Sequence, residues 1–243
     1  MKKSVIAVVA LLVAAALGAS KAGVVTMSPV NADASYQIES GGPYGTYLDI
    51  EGTSNTYPSY GALDFPITAA DLAAGTTIVS VTQLVFTPTQ ANFAYTAGGT
   101  LAFYLAASSA DLSTGTFQAG AANNGIGDTF DPLYSLGERA FVPNATNYQP
   151  DPYTFDLSSL SPEAQKYLVD LLKNGGSLHL IVAPVDSTVV ASWGSASTTY
   201  TSEIPNLTLT YTTAPIPEPG TLALFVIGGS FSLWRFRGRL SAA

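Results

Sequence analysis

The side chains able to do acid–base, nucleophilic or metal chemistry are few. There is no cysteine and a single histidine, His179. Thiolate nucleophiles, disulfides and thiolate metal sites are therefore excluded. A zinc hydrolase that draws on several imidazoles lacks its ligands. His179 stands in a run where Leu178, Leu180 and Val182 alternate with His179, Ile181 and Ala183. A lone histidine in such a strand reads as structural or exposed rather than as a base. No nucleophile elbow, zincin helix, phosphate loop or dinucleotide fingerprint occurs. A glycosidase needs only two carboxylates. Asp49 and Glu51 have the spacing to share one strand face, while Asp64, Asp156 and Glu203 lie in or beside other strands. Among 17 acids some close pairs arise without function, and no pair stands above the rest. The expectation is a solvated acidic surface and no enzyme.

Two binding chemistries remain open. Asn123-Asn124-Gly125-Ile126-Gly127-Asp128-Thr129-Phe130-Asp131 offers oxygen ligands of the type Ca²⁺ takes. It lacks the spacing and the closing Glu of an EF-hand, and an Asn/Gly turn explains it equally. No cofactor other than such a Ca²⁺ is expected. The chain also has 13 Tyr, and Tyr36, Tyr44, Tyr47, Tyr57 and Tyr60 crowd one early region. Exposed rings there, or Trp193, would stack on sugar rings. The competing reading is that tyrosines fill half-buried strand positions.

The elements that must carry these residues read as strands. Residues 78–87 are rich in β-branched side chains, and residues 101–106, 178–183 and 207–212 alternate with period two, the last with Thr on the outer side. Weaker candidates span residues 44–50, 60–67, 133–142, 153–157 and 188–193. One helix is clear: Ser161 caps it, Pro162 opens it, Glu163 lies in the first turn, and Ala164, Leu168, Leu171 and Leu172 share a face. Lys173 and Gly175 close it. Short strands, frequent turns and one helix predict an all-β fold, an antiparallel two-sheet sandwich of jelly-roll type.

Charge divides the chain differently. Of nine basic residues, six sit near the ends: Lys2, Lys3, Lys21, Arg235, Arg237 and Arg239. Residues 23–220 keep only Arg139, Lys166 and Lys173 against all 17 acids, a formal charge of −14. Such a body has no footprint for nucleic acid. The start, Met1-Lys2-Lys3 followed by an apolar run to residue 17, has the form of a secretory leader. Ser20-Lys21-Ala22 places small residues for cleavage between Ala22 and Gly23, with a cut near Gly18 or Ala19 as the alternative. At the other end, Pro215-Ile216-Pro217-Glu218-Pro219-Gly220 precedes an apolar run over residues 221–234 and then Arg235, Arg237 and Arg239. Prolines hold the segment extended, the run enters a bilayer, and the arginines stay on the cytoplasmic side.

Pro217-Glu218-Pro219, the apolar stretch and the terminal Arg cluster, in that order, resemble a PEP-CTERM sorting signal. The resemblance covers about 25 residues and implies recognition by exosortase, a membrane enzyme of Gram-negative bacteria that also make extracellular polysaccharide. It implies cleavage near the motif and release or transfer to the surface, and it is silent on the central domain. Residues 153–157, the helix, the strand at 178–182, Trp193 and the Pro205–Tyr211 stretch are in turn similar to the closing half of carbohydrate-binding-like jelly rolls.

The reading is then a leader at 1–22, a β-sandwich at 23–212, a Pro-rich linker with the sorting motif at 213–220, and a membrane segment with basic tail at 221–243. The expected role is non-catalytic, structural or adhesive, in the envelope or extracellular matrix, with the export translocon, exosortase, the membrane and exopolysaccharide as partners. The alternatives are a sugar-binding module that uses exposed aromatics and Ca²⁺, and a carboxylate glycosidase.

Overall fold

In a computed structural model, the structure describes residues 20–36, 47–55, 58–91, 95–106, 133–146, 148–196 and 201–216. Thirteen strands and one α-helix run along them. The strands are β1 (Lys21–Met27), β2 (Asn31–Tyr36), β3 (Tyr47–Glu51), β4 (Ser59–Ile67), β5 (Thr76–Thr87), β6 (Thr89–Gln90), β7 (Gly99–Ala106), β8 (Leu133–Phe141), β9 (Gln149–Pro150), β10 (Tyr153–Asp156), β11 (Gly176–Pro184), β12 (Val190–Gly194) and β13 (Asn206–Pro215); the helix is α1 (Pro162–Asn174). The chain forms two compact units: one takes in Met1–Ala22, Asp71–Val79 and Thr212–Ala243, the other Gly23–Ala70 and Ser80–Tyr211.

The fold is mostly β, and the strands form three antiparallel sheets where the sequence predicts two. Their orders are β1-β13-β5-β10, β2-β4-β11-β7-β8 and β3-β12-β6-β9. The third sheet is short because β6 and β9 have two residues each, too few for any alternation to register in sequence. In the five-stranded sheet, β11 is central. Its Leu180 faces Leu63 of β4 on one side and Leu105 of β7 on the other. The register between β7 and β8 slips between Phe103 and Tyr104. Leu136 is the extra residue, and Gly137 takes φ 97°, a left-handed angle that glycine adopts without a Cβ clash.

The larger unit is held by rings. Phe86 of β5 meets Phe65 of β4 edge-on at 6.3 Å, and Trp193 of β12 edge-on at 5.6 Å. Phe103 of β7 lies 5.1 Å from Phe155 of β10. All five are buried. Edge-to-face packing of this kind adds to the gain from apolar burial. A second cluster, Tyr60, Ala62, Ala106, Ile181 and Ala183, is buried as well. Strand β11 is therefore enclosed on both faces, although period-two alternation had predicted a half-buried strand.

The helix follows its predicted punctuation. The Ser161 hydroxyl accepts from Ala164 N at 3.2 Å, Pro162 opens the first turn, and Gly175 at φ 77° ends the helix by donating to Leu171 O. Ala164, Leu168 and Leu172 are buried. Gln165 does what no periodicity announces. Its Oε1 accepts from Val81 N at 3.1 Å and its Nε2 donates to Val81 O at 2.9 Å, so a helix side chain completes the backbone pairing of β5.

Candidate functional site

The five carboxylates named above have different surroundings. Asp49 and Glu51 share a face of β3, as their spacing predicts. Asp49 lies opposite Ser192 of β12. Burial pushes its carboxyl above the ordinary aspartate range, and the Ser192 hydroxyl pulls partly back. Glu51 is buried and accepts from the Tyr95 hydroxyl at 2.8 Å. Ser59 ties the same corner, accepting from Glu51 N and donating to Asp49 O. Asp64 pairs with His179 instead. The two are cross-strand partners on β4 and β11, and Nδ1 of His179 meets Oδ1 of Asp64. The neighbouring Tyr167 hydroxyl donates to Ala106 O at 3.0 Å, and burial pushes it up to about 12. Asp156 is exposed and binds Ser158 N, which with the Ser158 hydroxyl holds its carboxyl below the ordinary range. Glu203 is buried in the turn Thr201–Glu203.

Two of the six aromatic candidates are core. Trp193 and Tyr60 are 0% exposed, so neither offers a face to a sugar. Tyr47 is half-buried. The strand that carries Tyr36 is described, its ring is not, and Tyr44 and Tyr57 lie outside the described residues. The Asn/Gly/Asp stretch 123–131 also lies outside them, as do Pro217, Glu218, Pro219, Arg235, Arg237 and Arg239. Among the described residues, no group of three or more His, Cys, Asp or Glu is placed to hold a metal ion. Nor is any helix among them long and apolar enough to cross a membrane.

Ala22 and Gly23 lie within β1. Gly23 packs against Tyr211: a Cβ at position 23 would come within 2.4 Å of that ring. The Ser20 hydroxyl donates to Thr213 O at 3.0 Å, and the Thr213 hydroxyl donates to Lys21 O at 3.3 Å. The expected linker thus shares its first three residues with β13, which runs to Pro215.

Among the described residues, the tyrosines most exposed to solvent are ones the sequence does not single out. Tyr95 is 44% and Tyr148 52% exposed, beside Val142 at 68%. Gln90 knits their loops together. Its Nε2 donates to Val142 O at 2.8 Å, its Oε1 accepts from Asn144 N at 2.7 Å, and its backbone O accepts from Tyr148 N at 2.7 Å. Across this junction Gly98 abuts Pro143: a Cβ at 98 would lie 3.3 Å from the Pro143 ring. Beneath it, Asp151 is pushed up by burial, and the Tyr153 hydroxyl and the Gln90 amide pull it back. Tyr153 is raised in turn by burial and by the Asp151 charge. The signal available in sequence was an aromatic set among turn formers, Asn144-Ala145-Thr146-Asn147-Tyr148-Gln149-Pro150.

No family model matches the chain, and no curated protein is similar to it. Among solved structures, a tomato aspermy virus structure aligns over 82% of this chain and 80% of its own, at 11% identity and a TM-score of 0.28. The infectious bursal disease virus Gx strain aligns over 93% of this chain and 49% of its own, at 10% identity and a TM-score of 0.21. A mutant VP2 protein of infectious bursal disease virus, in derived T=1 particles, aligns over 92% and 49%, at 13% identity and a TM-score of 0.22. The chain spans about half the length of the two bursal disease virus chains.

Proposed function

We propose that this chain is an exported, non-catalytic protein of the cell envelope or extracellular matrix. In this reading exosortase sorts it through Pro217-Glu218-Pro219. Its jelly-roll-like β domain serves a structural or adhesive role against exopolysaccharide. The observation that carries the proposal is the charge and hydropathy layout of the sequence. Basic, apolar ends flank a body of formal charge −14, with the Pro-Glu-Pro motif, the apolar run and Arg235, Arg237 and Arg239 in sorting-signal order. Two features of the fold support the domain's part in it. The large rings of β5, β7, β10 and β12 are spent on core packing. The lone imidazole is tied through Nδ1 to its cross-strand partner.

Intact-mass analysis of the protein recovered from membranes and from the medium tests the proposal. The expected species has lost residues 1–22 and, in the processed pool, the residues beyond the Pro-Glu-Pro motif. Replacing Pro217 and Pro219 with Ala leaves the tail attached. A single species of full-length mass in every fraction would refute both cuts.

A further inference from the structure

The exposed tyrosines identify a surface that the sorting signal leaves without an assignment. Tyr148 has φ 68°. A bulky side chain rarely takes that angle, and the backbone is strained there. The strain is held by neighbours. Tyr148 N is bonded to Gln90 O, and the Gln90 side chain grips Val142 and Asn144. The side chain stays about half exposed, while Tyr153 a few residues on joins the aromatic core. Tyr95 is fixed differently, through its hydroxyl on the buried Glu51, and its ring is also left partly exposed. Gly98 against Pro143 brings the two loops into contact. Tyr95 on one loop and Val142, Asn144 and Tyr148 on the other thus flank the Gly98–Pro143 contact.

Charge decides what such a surface takes. None of residues 85–99 or 142–151 is basic. The domain's cations are elsewhere: Arg139 lies over Phe155 with its guanidinium 4.6 Å from the ring centroid, Lys166 pairs with Asp170, and Lys173 ends α1. Asp151 lies nearby and Glu51 holds Tyr95. An anionic polymer is repelled here and a nucleic acid finds no phosphate partner. A neutral sugar ring meets both its needs, an apolar face to stack on a tyrosine and hydroxyls to bond amide and backbone groups.

We propose that Tyr148, positioned through Gln90, and Tyr95, positioned through Glu51, form a binding site for a neutral polysaccharide chain. This rests on the exopolysaccharide reading above and names its contact surface. The full chain, purified in mild detergent, is run by affinity electrophoresis through gels that contain laminarin, mannan or xylan, with alginate as the anionic control. At least one neutral polymer is expected to retard it, and alginate is not. Tyr148→Gly relieves the left-handed strain, so its denaturation midpoint should rise or hold while retardation weakens at least tenfold. Tyr95→Ala should weaken retardation in the same gel. Four results would overturn the site: no retardation by any neutral polymer, equal retardation by alginate, both variants retarded like the parent, or a parent dimer that Tyr148→Gly splits on size exclusion. None of these touches the sorting reading, which stands or falls on the mass of the processed tail.

Discussion

At the scale of single residues, burial sets the behaviour of the acids. Asp49 and Asp151 are both raised by desolvation, which penalises the charged carboxylate. A carboxyl whose value is higher folded than unfolded binds its proton more tightly in the native state. Stability is therefore greatest below the unfolded value and falls as pH rises through the window up to the folded value. The domain should gain resistance to denaturant when acidified from neutral pH into the upper carboxylate range. That direction is the reverse of ordinary acid denaturation. Asp49→Asn keeps a polar partner for Ser192 without the charge. It should raise the urea midpoint at pH 7 and flatten the pH dependence, read from urea titrations at pH 7 and pH 5. An unchanged slope between those pH values would show that Asp49 does not carry the effect.

At the scale of elements, the joints matter more than the strands. Gln165 reaches from α1 to both backbone groups of Val81. Gln165→Ala strands a buried N–H and C=O, and a loss of about 1–3 kcal/mol is expected in chemical denaturation. Gln165→Glu, which keeps only the acceptor side, should fall between. The strands themselves were largely readable: β5, β7, β11 and β13 show β-branched runs or clean alternation, and α1 carries its caps in sequence. What alternation hides is enclosure. Ile181 and Ala183 alternate with Leu180 and Val182, yet all four are buried, because apolar residues fill both sets. Strand β1 is hidden for another reason: Ser20 and Ala22 are the small residues a leader peptidase would read at −3 and −1, so the stretch reads as a processing site and not as a strand. The tyrosine surface was illegible because its residues sit in turns, where no period reports which way a side chain points.

At the scale of the whole molecule, the first described strand, β1, pairs with the last, β13. Thr26 and Thr208 hydroxyls lie 2.9 Å apart, and Gly23 lies against Tyr211. Each of these pairs has the register of one antiparallel ladder, in the sheet where β1 neighbours β13. Long-range pairing of this kind forms late, since the whole intervening chain must be closed into a loop first. On the export route proposed above, the consequence is an order of events. On that route β1, whose neighbour in the sheet is β13, would stay unpaired until β13 had crossed the membrane, and the bond between Ala22 and Gly23 would stay open to a peptidase throughout translocation. The pairing is testable because the chain has no cysteine of its own. Thr26→Cys with Thr208→Cys should oxidise to one intramolecular disulfide in the exported protein, seen as faster migration on a non-reducing gel. Closing so long a loop should add up to about 5 kcal/mol to stability. A fully reduced pair in protein recovered from an oxidising compartment would mean that β1 does not dock on β13, and the proposed order of cleavage and closure would then lose its basis.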